Sequence, residues 1–177
     1  MSESQRPDTP VLRAVLMGVS GSGKSTLGVA LAPRIDALYV DGDDLHPPAN
    51  IAKMAAGLPL TDADRWPWLD AVGARLAKAR GPILVGCSAL KRAYRDRIRA
   101  HAGAEVIFVH LSGSAGVLAA RMASRPGHFM PAHLLESQLA TLEPLGADER
   151  GGAIDIDQPL ADMVTAAVHL LRHRSEP

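Results

Sequence analysis

The residues with the clearest chemistry stand near the N-terminus. Gly18-Val19-Ser20-Gly21-Ser22-Gly23-Lys24-Ser25, followed by Thr26, satisfies the spacing G-x-x-x-x-G-K-[ST]. Such a loop between a strand and a helix turns several backbone N–H groups toward the phosphates of a nucleotide. The helix that follows points its positive end at the same anions. In this pattern Gly18, Ser20, Gly21, Ser22 and Gly23 shape the cradle, and Thr26 follows it in the first turn. Lys24 reaches the β- and γ-phosphates and the Ser25 hydroxyl holds Mg²⁺. The signature alone does not name a reaction, since switches, motors and small-molecule kinases share it.

A second chemical cluster follows the next apolar run, at Asp41-Gly42-Asp43-Asp44. Read as extended chain, Asp41 and Asp43 point to the same side. Asp41 near Mg²⁺ and Asp43 near an acceptor hydroxyl is the arrangement that phosphoryl transfer to an alcohol requires. The competing reading is an acidic turn that caps the next helix. Asn-Lys-x-Asp is absent, and neither PILVG nor VIFVHL ends in an acid, which disfavours a guanine-reading switch and a motor ATPase.

These groups need a scaffold, and the chain alternates strand and helix throughout. Strands are expected at 11–17, 37–40, 82–86, 106–111 and 153–156. Helices are expected at 24–34, within 47–63, from 64 onward, at 90–100, 115–124 and 131–143, and from Pro159 to the end. In the last, Leu160, Met163, Val164, Ala167, Val168 and Leu171 share one face. Alternation of this kind implies a three-layer α/β fold, a parallel sheet covered by helices on both faces. Residues 1–10 read as a disordered tail and 11–177 as one domain.

Composition narrows the function class. Lys plus Arg and Asp plus Glu number 19 each, evenly divided between the halves, and aromatics make up 3%. Neither nucleic acid nor an anionic membrane is an expected partner. A lone cysteine, Cys87, excludes an internal disulfide, and no apolar run is long enough to span a bilayer. A cytoplasmic location is expected, and a homodimer is left open.

Further motifs extend the pattern: Asp41-Gly-Asp-Asp-Leu-His46, Asn50-Ile-x-Lys53-Met54, Gly57-x-Pro-Leu60 and Asp62-x-Asp64-Arg65-x-Pro67-Trp68-Leu69. Cys87-Ser-Ala-Leu-Lys91, Tyr94-Arg95-Asp96, Arg125-Pro-Gly-His128-Phe-Met130-Pro131 and Leu134-Leu135-x-Ser137-Gln138 follow. Together they resemble the gluconokinase family over residues 12 to 150. The resemblance implies ATP-dependent phosphorylation of D-gluconate at its terminal hydroxyl, and a nucleoside-monophosphate-kinase-like sheet ordered 2-3-1-4-5.

The residues agree with a sugar-acid site. Arg65, Lys91 and Arg95 are three cations able to hold a carboxylate, while His46, Asn50 and Gln138 can bond hydroxyls directionally. Arg92, Arg97 and Arg99 read as a solvated helix face, and Trp66 and Trp68 as packing. Arg121 and Arg125 lie four apart on an expected helix ahead of Pro126-Gly127, so a lid spanning about 121–133 is expected to bring arginine over the phosphates. Asp157-Gln158-Pro159 is expected to border the adenine. The alternatives are a kinase for another hydroxy acid such as shikimate, or a regulatory module that binds ATP without transfer.

Overall fold

The computed structural model of the chain describes residues 10–124 and 132–174. The expected tail, apart from Pro10, lies outside the described residues. Five strands, β1 (Arg13–Met17), β2 (Leu38–Asp41), β3 (Ile83–Gly86), β4 (Ile107–Ser112) and β5 (Gly151–Asp155), form one parallel sheet in the order β2-β3-β1-β4-β5. The helices are α1 (Lys24–Leu31), α2 (Pro48–Ala55), α3 (Asp62–Ala77), α4 (Arg92–Ala102), α5 (Ala115–Ala123), α6 (Ala132–Thr141) and α7 (Leu160–Arg174). None among the described residues is long and apolar enough to cross a membrane.

Alternation along β1 builds both halves of the core. Ala14 and Leu16 face the side packed with Leu27 and Leu31 of α1 and with Met163, Ala167 and Leu171 of α7. Val15 and Met17 face the other side, against Leu69, Val72 and Leu76 of α3 and Ile98 of α4. A strand buried on both faces reads as a continuous apolar run because its two-residue period finds apolar neighbours either way. Arg13 interrupts that run for a reason: its Nε donates to the Leu76 carbonyl at 2.9 Å, satisfying the C-terminal end of α3.

Element ends differ from the sequence expectation by one to three residues, and three departures have a local cause. Helix α3 begins at Asp62 rather than Asp64, because Thr61 and Asp64 form a reciprocal capping box that settles the first turn two residues earlier. Pro67 consequently sits inside the helix, not in its first turn. The first helix stops at Leu31 and tightens into a 3₁₀ turn, Ala32–Arg34, carrying Pro33. The acidic loop also departs from the extended reading: Gly42–Leu45 is a 3₁₀ turn, and Asp41 caps it by accepting the Asp43 N–H at 3.0 Å. Asp41 thus caps this turn through Oδ1 while its Oδ2 accepts from Ser25 Oγ.

The face of α4 is not simply solvated. Arg95 is fully buried, and its Nε and Nη2 meet Glu149 at 2.7 and 2.9 Å, while Nη1 donates to the carbonyls of Ala89 and Leu90. Arg99 joins the same carboxylate at 3.0 Å, and Arg92 holds Asp148 through two bonds of 2.7 Å. Arg92 and Arg97, with side chains 42% and 45% exposed, match the expectation of a solvated face, Arg97 pairing with Asp70. Burial pushes the Glu149 carboxyl up, but Arg95, the Gly146 N–H and Arg99 outweigh it and hold the pKa at about 2. Because that value is depressed from 4.5, the stabilisation is present above pH 4.5 and drains away as pH falls toward 2. Glu149→Gln leaves two buried guanidinium groups without their counter-charge. Urea denaturation at pH 7 is expected to show a loss of about 3 kcal/mol, shrinking toward pH 3; equal loss at both pH values would contradict the assignment.

Candidate active site

The phosphate loop spans the end of β1 and the start of α1. Gly21 and Gly23 adopt φ of 79° and 96°, a region where a β-carbon is strained. A β-carbon on Gly21 would also lie 2.5 Å from Cγ of Met122, so α5 roofs the loop there. Lys24 Nζ donates to the carbonyls of Gly18 and Val19 at 2.9 and 3.1 Å, lying along the inside of the loop. Ser22 is fully buried, and its hydroxyl has no partner among the described residues.

Strand β2 carries a carboxylate to the loop's mouth. Asp41 pairs in register with Gly86, the last residue of β3, so it stands level with the point where β3 itself offers no acid. Asp41 Oδ2 accepts from Ser25 Oγ at 3.1 Å. Tyr39, two residues earlier on the same strand, fits beside Gly28 of α1 and Gly86 of β3, where any added β-carbon would collide with it. Its hydroxyl lies 3.4 Å from Ser25 Oγ. Nothing in the sequence pattern singled out Tyr39; two glycines far apart in the chain make its place.

Asp43 faces the same cleft and remains exposed. Partial burial of its carboxyl and the charge of Asp41 raise its pKa above 3.8, against the opposing pull of His46 and Lys24. His46 stacks on Trp68, ring centres 4.1 Å apart, and Trp68 Nε1 donates to the Gly42 carbonyl at 2.8 Å. Burial lowers the His46 pKa and the Asp43 charge partly restores it, with Arg65 acting in the lowering direction. His46 thus lies within electrostatic reach of both Asp43 and Arg65. Asn50 is buried and donates to the Asp64 carbonyl at 2.9 Å, which binds α2 to α3.

Two of the three expected carboxylate-binding cations converge. Arg65 Nη1 lies 3.2 Å from the Tyr94 hydroxyl and 3.5 Å from Asp62, and Lys91 Nζ lies 3.2 Å from the same Asp62. Tyr94 donates its hydroxyl to Asp62. That bond, then Lys91, holds the Asp62 carboxyl below the usual range. Asp62 and Tyr94 were missed in the sequence; the i, i+3 spacing of Asp62 and Arg65 was the available signal. Arg95 does not join them, since all its bonds run to Glu149 and to backbone carbonyls on the buried side of α4. Gln138 also departs from the acceptor shell and meets the phosphate loop at Ser20.

On the far side of the loop, Arg121 Nη1 comes within 3.3 Å of a β-carbon built on Gly23, and Nη2 donates to the Ile156 carbonyl. Arg121, Val117, Ala120, Asp157, Gln158 and Pro159 border an open cleft of about 550 Å³. Helix α5 ends at Ala123, and Arg125 and most of the expected lid lie outside the described residues. Cys87 is buried and its thiol is pushed up to about 12, so it has no nucleophilic character.

Comparison with known proteins places the chain in a family. A family model described as an AAA domain matches residues 14–145. A gluconokinase of Gluconobacter oxydans is 52% identical over 139 residues, covering 76% of this chain and 77% of its own. The chain belongs to the gluconokinase family. The crystal structure of a gluconokinase from Sinorhizobium meliloti superposes with a TM-score of 0.86 at 52% identity, over 93% of each chain. A shikimate kinase from Acinetobacter baumannii shares the fold at a TM-score of 0.64 but only 18% identity, over 93% of this chain and 95% of its own. The family carries the expected sheet order and a P-loop kinase architecture, and it does not favour a non-catalytic module.

The hydrogen bond from Trp68 to Gly42 ties α3 to the turn that carries Asp43. Trp68→Phe keeps an aromatic ring against His46 and removes that donor. A loss of about 1 kcal/mol is expected in chemical denaturation; an unchanged midpoint would show that the bond does not hold the turn.

Proposed function

We propose that this chain transfers the γ-phosphoryl group of ATP to the terminal hydroxyl of D-gluconate, giving 6-phospho-D-gluconate. The observation that carries the reading is one continuous line of groups. Lys24 lies inside the phosphate loop, and Asp41 at its mouth leads into the turn that carries Asp43. Beyond that turn His46 stacks on Trp68 of the helix whose Arg65 converges with Lys91 on Asp62. A cradle for phosphate, a carboxylate for a hydroxyl and a cation pair for a carboxylate follow one another along the cleft.

Lys24 would leave the loop carbonyls for the β- and γ-phosphate oxygens, where its charge is needed. The acid end of gluconate would meet Arg65 and Lys91, with Asp62 and Tyr94 around it. Asp43 would accept the proton of the terminal hydroxyl as its oxygen bonds the γ-phosphorus and the bond to the bridging oxygen of ADP breaks. Arg121 would meet the nucleotide from α5, its adenine lying toward Asp157, Gln158 and Pro159. Ser25 and Asp41 present a hydroxyl and a carboxylate 3.1 Å apart, hard oxygens that suit Mg²⁺. Bound there with the nucleotide, Mg²⁺ would neutralise charge on the β- and γ-phosphates.

Purified protein with ATP, Mg²⁺ and a panel of sugar and hydroxy acids tests the reading. D-gluconate is expected to give the highest kcat/KM, with 6-phosphogluconate identified by mass; preference for shikimate or another acid would overturn it. Asp43→Asn is expected to keep ATP binding and lower kcat by about a hundredfold or more. Since the Asp43 pKa is raised in the free protein, the acid limb of the wild-type kcat/KM profile is expected above pH 3.8. Near-normal turnover in the variant would remove Asp43 from the mechanism.

A further inference from the structure

Gln138 meets the phosphate loop rather than the acceptor shell. Its Oε1 accepts the Ser20 N–H at 2.7 Å, and its Nε2 lies 3.2 Å from Ser20 Oγ, in position to donate. Both ends of one planar amide are thus committed to one residue at the outer bend of the phosphate loop. The two partners are 118 positions apart in the chain.

The helix that carries Gln138 is itself fixed. Leu135, one turn before it, is buried in the core alongside Val19 and Leu27. Beyond its other end, the Glu143 N–H donates to the Leu90 carbonyl at 2.8 Å, and the Glu143 carboxylate accepts the Arg92 N–H at 2.7 Å. A side chain projected from such a base holds its target in place. The target is the part of the loop most in need of it. Gly21 follows directly with a positive φ, and Val19 and Ser22 are joined by a single bond of 3.2 Å. If Ser20 rotated, the N–H groups of the neighbouring loop residues would change direction, and a cradle depends on those directions being set before the anion arrives.

We propose that Gln138 is a positioning residue for nucleotide binding, acting through Ser20 by holding the outer bend of the phosphate loop. The proposal rests on the nucleotide half of the reading above and is independent of which acid is the acceptor. ADP with Mg²⁺, titrated calorimetrically without any acceptor, is the direct probe. Gln138→Ala is expected to weaken ADP binding about tenfold, as loss of a bonded pair at a loop implies. The KM for gluconate at saturating ATP is expected to stay within twofold. Gln138→Glu keeps an acceptor, loses the donor and adds negative charge beside the phosphates, so it should bind ADP more weakly than the alanine variant, with the gap narrowing at high salt.

Ser20→Ala removes only the hydroxyl half and serves if Gln138→Ala fails to fold. It should weaken ADP binding about threefold, and adding it to Gln138→Ala should cost almost nothing more. Unchanged ADP affinity in Gln138→Ala and Ser20→Ala would overturn the proposal. So would a rise confined to the gluconate KM, which would make Gln138 a reader of the acceptor, or full additivity in the double variant. Failure of wild-type protein to phosphorylate gluconate would refute the acceptor assignment and leave the ADP comparison standing.

Discussion

An anion cradle made of backbone N–H groups has a demanding physical requirement: the peptide planes must already point inward, because backbone dipoles that reorganise on binding give back most of their electrostatic advantage. Here the loop is braced from several directions. Met122 of α5 lies over Gly21, Gln138 of α6 holds Ser20, and the Gly18 N–H donates to the Ser88 carbonyl beyond β3. The glycines supply conformations that other residues resist, and the surrounding helices select one of them. The acidic side of the site meets the helix that follows this loop through Ser25 and Asp41.

The cleft's acidic side follows from sheet topology. β2 lies at the edge of the sheet beside β3, so Asp41 reaches Ser25 across the space where β3 ends in glycine. The turn after β2 then places Asp43 opposite Lys24, with Trp68 gripping the turn from α3. Charge is arranged in alternation along the cleft: lysine, paired aspartates, a weakly basic imidazole, then Arg65 and Lys91 around Asp62.

Arg95 shows how the same residue type can serve two ends. It stands four residues after Lys91, a spacing that within one helix would put both on the same face, but Lys91 is the N-cap of α4 with extended backbone and lies outside the helix. Lys91 turns toward α3 and the cleft, whereas Arg95 turns inward to Glu149 on the segment before β5. A charge that deep persists only because its donors all have acceptors. Sequence spacing alone does not reveal which side of α4 is covered, since the covering residues come from 49 to 54 positions further along the chain.

What the linear chain settles is everything governed by local physics. Strand and helix alternation follows from apolar periodicity, the phosphate loop from its glycines and Lys24-Ser25, and the acidic turn from Asp41-Gly42-Asp43. These patterns act over a few residues, and they were legible with boundary errors of one to three positions. Tertiary structure decided which side chains meet across long separations: Tyr39 between two glycines, Asp62 with Tyr94 and Lys91, Arg95 with Glu149, and Gln138 with Ser20. The physical reason is that a side chain's role depends on which neighbour fills its hydrogen-bonding capacity. That neighbour is assigned by strand order and helix packing, which no short window of residues contains.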